Sequence, residues 1–85
     1  MISDNDRTIL KNFGKHLKAL REAQELTFRE FSTLSHVNTG DIVKYENGES
    51  GPNLITLKKL ALGLKVHPTV LLDFDFETNF KDGSK

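Results

Sequence analysis

Groups that make or break bonds are sparse in this sequence. There is no cysteine, so thiolate nucleophiles, disulfides and thiolate metal sites are all excluded. His16, His36 and His67 are scattered, and no metal-ligand spacing links them. No nucleophile–base constellation and no phosphate-cradling glycine loop can be made out, so neither an enzyme nor a cofactor is expected. The chemistry that remains is non-covalent recognition, and its densest candidate is "SHVNTGDIVKYENG" at 35–48. Asn38 can cap the start of a short helix there, and Asn47-Gly48 can end it. Such a helix carries a glycine and an acid, Gly40 and Asp41, among residues free to face outward. What it could lie against depends on the elements that hold it.

Apolar residues Ile9, Leu10, Phe13, Leu17 and Leu20 recur at helical spacing, with Asp4 or Asp6 available as a cap. Gly14 inside this first helix costs about 1 kcal/mol against alanine, and its use would be close approach by another helix. Thr27 and Glu30 form a capping box ahead of Phe28, Phe31 and Leu34. Asn38 opens the third helix, and "NGESGPN" has loop chemistry throughout. Asn53 caps a fourth helix that turns Leu54, Leu57, Leu60, Ala61 and Leu64 inward. His67-Pro68 opens a fifth, with Val70, Leu71 and Leu72 as its apolar residues. The expected fold is all-α, a compact bundle of about five short helices. In the tail, Phe74 and Phe76 alternate with acids, which is strand-like.

With 85 residues, one domain over 1–85 is expected: a helical unit at 8–74 and a short apolar, acidic tail at 75–85. The net charge of zero argues against a strong basic field over the whole molecule. Charge is unevenly spread, however, for every charged residue from Lys11 to Arg21 is basic. No apolar run has the length of a membrane span, and the amino terminus lacks a signal-peptide pattern, so a cytoplasmic location is expected.

Two short helices joined by "SHV", the second freshly capped, describe a helix-turn-helix. Residues 13–74 resemble the Cro/repressor-type, lambda-repressor-like helix-turn-helix family, which includes phage repressors and restriction-modification controller proteins. The resemblance rests on Leu17, Leu20 and Arg21, on "LTFREFS", on Val37 and Ile42, on "YENG", and on Pro52, Leu57, Leu60 and Ala61. It implies an all-helical fold, binding to double-stranded DNA in the major groove, and usually a homodimer. Three positions depart from the family pattern. Phe28 stands where a phosphate-contacting glutamine is common, His36 where the turn often has glycine, and Lys65 where glycine usually ends the fourth helix.

At about 100° per residue, Ile42 and Tyr45 turn inward and Gly40 and Lys44 point most directly outward. Thr39 and Val43 flank them, Asn38 lies at the tip and Asp41 falls to one side. The base-facing candidates are therefore Asn38, Thr39, Gly40, Val43 and Lys44. Val43 suits a thymine methyl, Thr39 offers a methyl and a hydroxyl, and Lys44 can donate to guanine or phosphate. Gly40 is either a point of close approach or a tolerated exposed glycine. The carboxylate of Asp41, at the third helical position, can reach back to the Asn38 amide or sit on the positive helix end. By resemblance, Arg21 and Glu46 form a partly buried ion pair between the first and third helices. Arg29, Asn47 and Ser50 are the phosphate candidates; Lys11 and Lys15 lie further round the first helix and rank below them.

Two functions follow: a small homodimeric transcriptional regulator, or an antitoxin-like protein-interaction module whose tail holds a partner protein. The large apolar groups Val70, Leu71, Leu72, Phe74, Phe76 and Phe80 are many for a short tail, and Val70, Leu71, Phe74 and Phe76 are the candidate dimer interface.

Overall fold

The structure is a computed structural model that describes residues 3–77. Helix α1 spans Asp4–Ala23, α2 Phe28–Ser35, α3 Thr39–Glu46, α4 Leu54–Leu64 and α5 Pro68–Leu71, with no strand among the described residues. The all-α expectation holds. Phe31, Leu17, Ile42, Leu60, Leu64 and Leu71 are fully buried, one or more from each helix. Each such side chain contributes roughly 1.5–3 kcal/mol relative to its exposed state.

Local chemistry sets most helix ends. Thr27 Oγ1 accepts from the Glu30 amide at 3.0 Å while Glu30 Oε1 accepts from the Thr27 amide at 2.8 Å, completing the capping box. Asn53 Oδ1 accepts from the Thr56 amide at 2.8 Å, and the His67 ring accepts from the Thr69 amide ahead of Pro68. The cap of α1 differs from expectation. Ser3 Oγ accepts from the Asp6 amide at 3.1 Å, so Asp6 supplies the bonded amide and Asp4 and Asp6 lie inside the first turn. There their charges favour the positive helix end. His36 and Lys65 close α2 and α4 in the left-handed conformation, with φ of 62° and 58°. Glycine would take that geometry freely, whereas a side chain costs roughly 1–2 kcal/mol there.

Two glycines explain how closely the helices meet. A side chain at Gly14 would overlap the carbonyl oxygens of Tyr45 and Glu46, so the last turn of α3 rests directly on α1. A Cβ at Gly63 would sit 2.8 Å from Ser35 Cβ, which brings α4 against the end of α2.

Leu54, expected inward, is 79% exposed. The three-residue step back from Leu57 turns about 300°, carrying Leu54 past the edge of the buried stripe in the first turn of α4. The strand-like reading of the tail is also corrected. Phe74 and Phe76 do lie on one side, stacked with centroids 4.3 Å apart, but they fold back on α1, where Phe74 meets Phe13 at 5.7 Å. Asn12 Nδ2 donates to the Asp75 carbonyl at 3.0 Å and holds that course. His16 Nε2 lies 2.6 Å from the Val70 carbonyl; a carbonyl only accepts, so the ring carries a proton on Nε2. Phe80 and the rest of the tail lie outside the described residues.

Candidate nucleic-acid interface

Helix α3 is fastened at its start by Asn38, whose Oδ1 accepts from the Asp41 amide at 2.8 Å. The Asn38 Nδ2 in turn donates to Asp41 Oδ2 at 3.1 Å. The acid thus reaches back to the asparagine side chain and lies in the first turn, where the helix end favours its charge. Both polar atoms of Asn38 are engaged within the cap, so in this geometry it positions the helix.

The inner face of α3 is Ile42, Tyr45 and Glu46, all buried. On the outer face Thr39, Gly40 and Lys44 are exposed, while Val43 and Asp41 are half-buried at its edges. A Cβ at Gly40 would meet only Asn38 Oδ1, at 3.4 Å, so packing within the chain does not require glycine there. Gly48 is the opposite case. Its φ is 75°, and a Cβ would lie 2.7 Å from Lys11 Cγ, so both backbone and space demand glycine at the end of "YENG".

Behind α3 lies the ion pair. Arg21 Nε donates to Glu46 Oε2 at 2.7 Å and its Nη2 to Oε1 at 3.1 Å, a two-pronged contact between residues only 7% and 9% exposed. The third donor, Nη1, meets the Leu26 carbonyl at 2.6 Å. The bond to Glu46 holds the guanidinium still more firmly protonated, against the opposing effect of burial. Phe28 lies over the guanidinium with its ring centroid 4.2 Å from Cζ. By sequence Phe28 is only a residue unable to hydrogen-bond a phosphate; its role here is to cover the ion pair with a π face. The signal available was an aromatic seven residues beyond an arginine, which has no local geometry and could not be read without the fold.

Of the phosphate candidates, Arg29 is exposed on the first turn of α2, Asn47 is exposed at the end of α3, and Ser50 is half-buried in the following loop. Asn47 and Ser50 sit together after α3; Arg29 belongs to a different helix. Among the interface candidates Leu71 is withdrawn. It is completely buried in the chain's own core and has no surface to offer a second copy. Val70 and Phe74 are half-buried and Phe76 is exposed. Exposed Leu72, which the sequence did not single out for the interface, lies in the same apolar cleft as Phe74 and Phe76.

Tyr45 closes the inner face. Burial pushes its phenol above the ordinary value of 10.0 and the Asp41 charge adds to this, while a hydrogen bond with Thr56 opposes them. Among the described residues, no cluster of three or more metal-ligating side chains occurs and no helix is long and apolar enough to cross a membrane.

A capped α3, fastened to α1 by an ion pair and joined to α2 through a tight turn, is the frame of a known family. Residues 17–71 match the helix-turn-helix family. The chain belongs to it. Over 58 residues it is 43% identical to the HTH-type transcriptional repressor RghR of Bacillus subtilis (strain 168), a match covering 67% of this chain and 43% of that protein. The match thus spans less than half the length of that repressor. Among solved structures, the restriction-modification controller protein C.AhdI from Aeromonas hydrophila is 31% identical with a TM-score of 0.71, over 73% of this chain and 94% of that one. A helix-turn-helix transcriptional regulator from Vibrio cholerae is 28% identical with a TM-score of 0.74, over 79% of this chain and 38% of that one. The family is one of transcription regulators rather than an enzyme class. Within this helix-turn-helix protein, α2 and α3 are the paired helices and α1 is the brace behind them.

Proposed function

We propose that this chain is a homodimeric transcriptional repressor that reads double-stranded DNA in the major groove with the helix at 38–46. The observation that carries this reading is the contrast between the two faces of α3. One face is anchored by Ile42, Tyr45 and the Arg21–Glu46 pair; the other presents Thr39, Gly40 and Lys44 to solvent. A rigid helix with small outward residues can approach base edges closely. Thr39 and Val43 would supply methyl contacts, Lys44 a donor, and Gly40 the clearance. Asn38 would set the entry of the helix, and Arg29, Asn47 and Ser50 would meet phosphates, fixing register without reading sequence. Such a face has few two-pronged hydrogen bonds to bases and leans on methyl contacts and DNA shape.

The repressor sense follows the curated relative, and the dimer follows the exposed apolar surface of Leu72 and Phe76 beside half-buried Val70 and Phe74. Two copies joined there would set a pair of α3 helices about 34 Å apart, one turn of the duplex. In this reading 8–74 is the DNA-binding unit and 75–85 its tail.

Fluorescence anisotropy on the DNA upstream of the gene tests the reading. Lys44→Ala should weaken specific binding by roughly 1–3 kcal/mol if Lys44 reads a guanine. Wild-type affinity for that DNA no greater than for random duplex at low salt would overturn it.

A further inference from the structure

A basic stripe runs along α1. Arg7, Lys11, Lys15 and Lys18 stand at i, i+4, i+8 and i+11, a spacing that aligns them on one side of a helix. All four are exposed, and none is paired with a carboxylate among the described residues. The stripe extends roughly 17 Å at 1.5 Å per residue. Glu22, the next position along the same line, ends it.

Its place in the fold gives the stripe a direction. Gly14 and Arg21 mark the side of α1 that receives the end of α3, and the stripe lies immediately beside that side on the helical wheel. At Lys11 the contact is direct, because Gly48 sits against the backbone and Cγ of that lysine. The stripe therefore passes the loop that carries Asn47 and Ser50. Three of its four cations, Arg7, Lys11 and Lys15, precede the family match that starts at residue 17.

We infer that this stripe is a second phosphate-binding track, which engages the nucleic-acid backbone beyond the reach of α3. This rests on the reading of α3 as the DNA-facing helix. A line of unpaired cations beside a phosphate-contacting loop neutralises further phosphates and releases their counterions, with no dependence on base sequence. Within a neutral chain of twelve lysines and arginines, the stripe sets four of them in a line on the side where α3 ends.

The test is anisotropy at several salt concentrations, with wild type, Lys15→Gln/Lys18→Gln and Lys58→Gln/Lys59→Gln. Lys11 is left intact because it packs on Gly48; Lys58 and Lys59 are exposed on α4 and match the loss of charge. The α1 variant should bind upstream and random duplex more weakly by the same factor. Its slope of log affinity against log salt should be shallower by about 0.9 for each phosphate no longer neutralised. An unchanged slope would overturn the stripe, and so would an equal loss of affinity in the α4 variant. Lys44→Ala separates this inference from the one beneath it. If Lys44→Ala alters sequence preference while the α1 variant changes nothing, α3 stands and the stripe falls. If Lys44→Ala has no effect while the α1 variant weakens all binding, the α3 reading falls and with it the description of the stripe as a second track beside α3.

Discussion

Two sides of α1 meet the rest of the molecule by different physics. Along one side, at Gly14 and Arg21, α1 receives α3 through directional contacts: a two-pronged ion pair, a guanidinium covered by Phe28, and a glycine with no room for a side chain. Along another side, Asn12, Phe13 and His16 receive α5 and the chain after it: Phe74 rests tilted on Phe13, and two hydrogen bonds run to the carbonyls of Asp75 and Val70, with Phe76 stacked on Phe74 and left exposed. The first joint specifies one orientation of α3. The second is less constrained, because its hydrogen bonds are single contacts to backbone and the burial of its apolar surface has no preferred direction. A reading helix needs the former, while a surface that is to be covered by another copy can use the latter.

The sharpest break in this comparison should come from Glu46→Ala, which leaves the Arg21 guanidinium buried and unpaired. Stability should fall by about 3–5 kcal/mol in urea or thermal unfolding. Arg21→Met/Glu46→Leu should recover much of that stability, since neither charge is then stranded. A single variant that unfolds like wild type would show that the pair is not what holds α3.

Gly14→Ala should come next, at roughly 1–3 kcal/mol, because the methyl must displace the carbonyl oxygens ending α3. Better intrinsic helix propensity works the other way by about 1 kcal/mol. Gly40→Ala sharpens the point: its Cβ meets only Asn38 Oδ1 at an ordinary distance, so stability should rise or stay level. A matched effect at the two glycines would deny that close approach is confined to the α1–α3 joint.

At the looser joint, Phe76→Ala should cost only about 0.5–1.5 kcal/mol, the worth of its stacking on Phe74. Its larger consequence should be assembly. Sedimentation at micromolar concentration should give a dimer for wild type and a shift towards monomer for the variant. A wild-type monomer would rule out the dimer.

The smallest effect concerns Tyr45, the sole tyrosine, whose phenolate absorbance can be followed without interference. Its folded pKa lies above the ordinary 10.0, so its contribution to stability is fully present below that pH and is lost as pH rises through the folded value. Tyr45→Phe should remove this part of the alkaline destabilisation. A phenol that titrates at its ordinary value in the folded protein would contradict the burial of α3's inner face.

Capping was legible at α2, α3 and α4, where a single suitable residue stands at the helix start. The Thr27–Glu30 box and the caps Asn38 and Asn53 all appear as read, because such bonds need only the local chain. Ser3 was missed at α1 because Asp4 and Asp6, with equally suitable side chains, follow it so closely. The candidate face of α3 was legible in its periodicity, although that Asn38 spends both polar atoms on its cap was not.

What the sequence determined by itself was the helices, the turn between α2 and α3, and which side of each helix is apolar, since all of these follow from spacing within a few residues. Only the tertiary structure decided that Leu54 faces out and Leu71 in, that the Phe74–Phe76 alternation folds onto α1 instead of forming a strand, and that Phe28 covers Arg21. Each of these depends on which element passes nearby. That is settled by excluded volume at Gly14, Gly48 and Gly63 and by the joint burial of distant side chains, and no periodicity within one helix encodes it.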